Sequence, residues 1–214
     1  MNKTFDKAYD VFSKDQSKWM ILGGIACYAL FVFIGFIAGI IGMPSETLYY
    51  IFLFLFKAAI LAGIGYGYYL KKEPVLIFSL VAFLIVLFYD NTVGNAQGIR
   101  FLQNADASWI VYWIFGFVFG LAIGVFTISA LLLYFFRKKK AALVFKISFF
   151  AVLFFGIATW VCGIIAAACG NGWSLGVLPL FEACSLIMVP GLFEEIRPGE
   201  TEITREEVEE EKAE

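Results

Sequence analysis

An all-α bundle of membrane-spanning helices is the fold class this sequence predicts, and three observations predict it. Hydrophobic residues make up 61% of the 214-residue chain and charged residues 16%, too apolar a mixture for an ordinary water-soluble domain. The apolar residues fall in long blocks separated by short charged stretches, the pattern of a polytopic membrane protein. Ten-residue alternating segments, the signature of a membrane β-barrel, are absent from the sequence. Lipid excludes irregular backbone, so the apolar blocks are expected to be helices.

The chain divides into a polar leader over 1–18, a membrane domain over 19–193 and an acidic tail over 194–214. The formal net charge of −2 averages two unlike regions. From Glu194 onward there are ten acidic and three basic residues, whereas the rest of the chain holds thirteen basic and eight acidic. In the leader, Phe5, Tyr9 and Phe12 share one helical face with lysines elsewhere, which predicts an amphipathic helix lying in the headgroup layer; a frayed polar leader is the alternative. The leader mixes lysines with Asp6, Asp10 and Asp15, and the apolar block after it is too long for the core of a signal peptide.

Six spans are expected, at 19–41, 48–70, 75–89, 109–136, 143–168 and 173–193. Each approaches the roughly 20 residues that cross about 30 Å of hydrocarbon, the third being short and the fourth long. Basic residues orient them. Lys3, Lys7, Lys14 and Lys18 precede the first span, Lys71 and Lys72 follow the second, and Arg137, Lys138, Lys139 and Lys140 follow the fourth. If every span crosses, these clusters share one side, which is expected to be the cytoplasm, with both termini there and the protein in the cell membrane. The loop at 90–108 then lies outside, where Asp90, Arg100 and Asp106 form its charged surface, either as a functional element over the outer mouth or as a connector. The tail is too charged to bury itself and is expected to be solvated.

Three ionisable residues fall inside predicted spans: Lys57, Lys146 and Glu182. Lys146 is close enough to a span end to snorkel to the interface. Lys57 lies ten residues past Thr47 and Glu182 ten past Gly172, which puts both about 15 Å below the same face. An unpaired charge at that depth costs roughly 2.5–3.5 kcal/mol on insertion scales, so a direct Lys57–Glu182 pair is expected. Pro179 lacks an amide hydrogen and predicts a kink or opening of the last span near 175–179. A broken helix beside a carboxylate resembles the geometry by which transporters hold ions, with Glu182 binding a cation or proton, Lys57 as its counter-charge and Ser185 on the same helical face. The competing expectation is a pair that only fixes helix packing.

Small residues four apart allow close helix approach. Gly116, Gly120 and Gly124 make a three-step ladder, and Gly35 with Gly39 and Gly63 with Gly67 make two-step ones. They are expected either to pack the bundle or to dock a partner helix or a second copy of the chain. Cys162 and Cys169 lie two helical turns apart, too far for a disulfide, while Cys27 and Cys184 read as isolated packing residues. The chain has no histidine, nucleotide-binding loop or nucleophile elbow, so no enzyme activity, metal, cofactor or nucleic-acid partner is expected. The function expected is transport-type (a carrier, a channel or a membrane-embedded substrate-binding subunit), and the alternative is a non-catalytic accessory or assembly subunit of a larger membrane complex.

Overall fold

The computed structural model describes residues 3–99, 107–136, 139–169 and 178–196, and these residues fold into helices. They are α1 (Lys3–Asp10), α2 (Ser17–Gly42), α3 (Thr47–Tyr69), α4 (Glu73–Ile99), α5 (Ala107–Phe136), α6 (Lys139–Cys169), α7 (Leu178–Ser185) and α8 (Met188–Ile196). A π-helical turn, Val11–Asp15, joins α1 to α2, and a 3₁₀ turn, Pro44–Glu46, joins α2 to α3. The five helices α2 to α6 are long and apolar enough to cross a membrane. Successive helices pack side by side, α2 on α3, α3 on α4, α4 on α5 and α5 on α6. The α7–α8 segment fills the remaining gap, with α7 against α2 and α6 and α8 against α2.

The expected sixth span is therefore not one helix over the described residues. Of the kink expected near 175–179, only Leu178 and Pro179 are among the described residues, and both are helical. Over the described residues the helix interrupts at Leu186 and Ile187, between α7 and α8. Pro190 explains the position, because it cannot donate to the Leu186 carbonyl one turn back and its ring crowds that carbonyl. The backbone tightens to compensate: the amides of Leu186, Ile187 and Val189 each bond to the carbonyl three residues before. Irregular backbone at membrane depth must be covered by protein, and Ser185, Leu186, Met188 and Val189 are wholly buried.

Gly24 of α2 supplies that cover. A Cβ there would lie 2.6 Å from the Met188 Cβ and 2.9 Å from the Ser185 carbonyl oxygen, so only glycine lets α2 lie against the break. The glycine ladders serve similar contacts. Positions 116, 120 and 124 of α5 receive Asn95, Thr92 with the Asn91 backbone, and Phe88 of α4. Gly63 and Gly67 of α3 receive Ser79 and Leu76, again of α4. Gly156 of α6 receives Ala183 of α7.

Two further expectations change. The loop expected from residue 90 begins later, since α4 continues to Ile99; the side chains of Arg100 and Asp106 lie outside the described residues, as does the tail beyond 196. The leader docks on the bundle. Tyr9 is fully buried, edge-on to Phe145 and Phe149 of α6, and Phe12 packs on Phe149 and Phe150. Lys146 does not snorkel: it is 4% exposed, bonds Asp6 at 3.1 Å and sits over the Tyr9 ring. The side chain of Phe5 lies outside the described residues.

Replacing Gly24 by valine forces backbone apart at the break and is expected to destabilise the protein by about 1–3 kcal/mol in reversible unfolding by denaturing detergent. Gly35, where an added Cβ would meet nothing within 4 Å, is the control, and Gly35→Ala is expected to be neutral or stabilising.

Candidate functional site

Lys57 and Glu182 are both buried at 8% and 5% exposure, yet they do not bond each other. The Lys57 ammonium donates to Asp90 Oδ2 of α4 at 2.5 Å, and Glu182 Oε1 accepts from Asn91 Nδ2 of α4, also at 2.5 Å. The expected direct pair is thus replaced by two adjacent contacts on one helix.

Helix direction explains the choice. Cα–Cβ bonds tilt toward a helix's N-terminus. Helices α3 and α4 are joined by a short turn and run antiparallel, so Lys57 leans away from that turn and Asp90 leans back toward it. Lys57 is twelve residues before the end of α3 and Asp90 seventeen after the start of α4, an offset of about 8 Å at 1.5 Å per residue. Two converging side chains close it. The Lys57 ammonium also lies 4.9 Å from the centre of the Phe31 ring of α2, which adds a cation–π contact to the ion pair.

Asn91 is held as firmly. Its Nδ2 donates both to the Leu87 carbonyl at 3.0 Å and to Glu182, so its two amide hydrogens are spent. Asn95 donates to the Asn91 carbonyl at 2.6 Å. Gly120 of α5 admits this stretch of α4, and Gly156 of α6 admits Ala183, the residue next to Glu182. Close approach on both sides therefore sets where the amide and carboxylate meet. Ser185 does not point at the carboxylate: its hydroxyl donates to the Glu182 backbone carbonyl at 2.6 Å and serves the helix.

The electrostatics follow from this inventory. Glu182 lies within reach of the charges of Asp90 and Lys57, and the phenols of Tyr28 and Tyr112 lie within reach of the Glu182 charge. One ammonium faces two carboxylates. Lys57 and Asp90 satisfy each other, and among the described residues no ammonium or guanidinium bonds Glu182. The Asp90 side chain keeps 28% of its surface exposed, whereas Lys57 keeps 10%. A cavity of about 150 Å³ between α2 and α3 reaches this cluster, lined by Phe31, Gly35, Tyr50, Phe54 and Leu178 and ending on Lys57.

At the basic end, Lys71 caps α3 in the left-handed conformation (φ 52°), with the Lys72 amide bonding the Gly67 carbonyl at 2.9 Å. Its ammonium bonds Glu195 of α8 at 2.5 Å, and that carboxylate holds Lys71 above its ordinary pKa. The thiols of Cys27 and Cys184, which the sequence presents as isolated, meet in a hydrogen bond between α2 and α7.

Asp90, expected as loop surface, is instead the partner of Lys57. Asn91 and Tyr28 do not stand out in the sequence. The one available signal is the run Asp90, Asn91, Thr92, which carries no helix breaker and so continues the frame of the apolar block before it. Compared with known protein families, curated proteins and solved structures, the chain has no match.

Breaking a buried ion pair strands a charge. Lys57→Met is expected to destabilise the protein by about 3–5 kcal/mol in detergent-denaturation titrations, and adding Asp90→Leu is expected to restore most of the loss. In double-mutant cycles Lys57 should couple to Asp90 by about 1–3 kcal/mol and to Glu182 by distinctly less.

Proposed function

We propose that this chain is a transport-type protein of the cell membrane whose polar centre comprises Lys57, Asp90, Asn91 and Glu182. The observation that carries the reading is Glu182 itself: a buried carboxylate without a basic partner among the described residues, on a segment broken one turn later. Charges at membrane depth are costly and mark ion or substrate paths when they line a broken helix between neighbours. The cavity that ends on Lys57 gives the centre an approach from the half of the bundle opposite the basic clusters. We take the basic end as cytoplasmic, with both termini on that side, because lysine and arginine near span ends set orientation.

The accessory-subunit alternative relies on glycine faces free to receive foreign helices. Gly63, Gly67, Gly116, Gly120 and Gly124 all face α4 of the same chain, so a partner docking there must displace α4. Gly39 likewise meets Tyr50, and only Gly35 of these ladders has open space beside it, so the balance of the glycine faces favours transport over docking.

In proteoliposomes, wild-type protein is expected to carry a measurable cation or proton flux that Glu182→Gln reduces to the background of empty vesicles. A wild type without flux, found instead in fixed stoichiometry with another membrane protein after mild solubilisation, overturns the proposal. Orientation has its own reporter. Cys169 is exposed at the end of α6 away from the basic clusters, so a membrane-impermeant maleimide is expected to label it from outside intact cells and to lose the signal in Cys169→Ser.

A further inference from the structure

We infer that Tyr28, Asp90, Asn91 and Glu182 form a binding site for one monovalent cation, either a proton or an alkali metal ion. The inference deepens the transport reading and rests on it for the purpose of the site, although binding itself is separable from transport.

Three observations converge. The first is charge. With Lys57 bonded to Asp90, an ionised Glu182 has no compensating positive charge among the described residues, in a region where none is stable alone. A single positive charge neutralises it. A divalent ion would leave an excess positive charge, and an anion would double the deficit.

The second is an orphaned donor–acceptor. Tyr28 of α2 is fully buried and its hydroxyl has no hydrogen-bond partner among the described residues. Such a group costs about 1–3 kcal/mol unless something satisfies it. Tyr28 lies one turn past Gly24, which packs on the Ser185 carbonyl, so its phenol sits on the stretch of α2 that runs along α7 beside Glu182, where a cation or a protonated carboxyl could satisfy it.

The third is ligand type. The phenol oxygen and the two carboxylates are oxygen donors, the type suited to hard cations, and the Asn91 amide holds the Glu182 carboxylate beside them. Its neighbours on each packed element are Tyr28 of α2, Lys57 of α3, Asp90 of α4 and Tyr112 of α5, with no further charge facing Glu182 among the described residues. The cavity of about 150 Å³ that reaches Lys57 has room for several waters, each occupying about 30 Å³ of liquid.

The test uses the full chain in detergent micelles. Sodium or potassium chloride is titrated against a choline chloride background while tryptophan fluorescence is read, Trp109 and Trp113 flanking Tyr112 in the sequence. In a second arm, without alkali ions, infrared difference spectra follow the protonated-carboxyl band with pH. An alkali ion is the ligand if one ion binds per chain, binding is lost in Glu182→Gln, and Tyr28→Phe weakens it about tenfold. A proton is the ligand if alkali ions have no effect while a titrating carboxyl band vanishes in Glu182→Gln and shifts in Tyr28→Phe. Silence in both arms overturns the inference, as does either response unchanged in Tyr28→Phe with its helical circular dichroism and elution volume preserved. Cation binding without flux removes the transport reading and leaves the site; flux without cation binding does the reverse.

Discussion

The ion pair between Lys57 and Asp90 is the constraint on which the rest of the arrangement depends. An ammonium twelve residues inside an apolar helix has few ways to exist, and here it takes a carboxylate from the adjacent helix of the same hairpin. That choice has two consequences. It ties α3 to α4 well away from their connecting turn, and among the described residues it leaves the carboxylate of α7 without a basic partner. A lysine paired with Glu182 would have closed the charge balance and left a purely structural contact. Paired with Asp90, it leaves one negative charge to be matched beside a broken helix.

Close backbone approach makes the cluster possible. Helices with ordinary side chains at their contacts sit about 8–10 Å apart. Gly120, Gly156 and Gly24 each occupy a point where a Cβ would meet a neighbour below ordinary contact distance. Together they press α5 onto α4 at Asn91, α6 onto α7 beside Glu182, and α2 onto the break between α7 and α8. The polar residues are short, and a bundle wider by a few ångströms would separate the Asn91 amide from the Glu182 carboxylate. The packing glycines and the polar centre thus belong to one design. The broken segment is buried on nearly all sides because it has no lipid-facing role, unlike α2 and α3, which expose Leu30, Phe33, Phe52 and Phe56 among many apolar residues.

Much of the fold is legible in the sequence because membrane helices are written in long apolar blocks with charged ends. The helices from Ser17, Thr47 and Glu73 start within two residues of the expected spans. What cannot be read is where a helix continues through polar residues. Ending the third span at Tyr89 puts Asp90 in a loop by a single residue, which hides the partner of Lys57 and leaves Glu182 as the only acid at its depth. Depth counting finds both charges, but depth alone does not tell which neighbour a long side chain leans toward. The interruption at Leu186 and Ile187 is missed for a related reason: Pro190 lies close to the expected end of the last span and so looks terminal. Tyr28 is silent, because a tyrosine in an aromatic-rich helix carries no signal until its hydroxyl is found without a partner.

Solid-state nuclear magnetic resonance on the protein in lipid bilayers, with nitrogen-15 in lysine side chains and carbon-13 in aspartate and glutamate carboxyls, measures the decisive contact. Dipolar dephasing is expected to place the Lys57 nitrogen at hydrogen-bond distance from the Asp90 carboxyl carbon, with the signal lost in Asp90→Asn and kept in Glu182→Gln. Dephasing that survives Asp90→Asn and disappears in Glu182→Gln would show that Lys57 neutralises the last segment directly, and no charge would remain there for a cation to match.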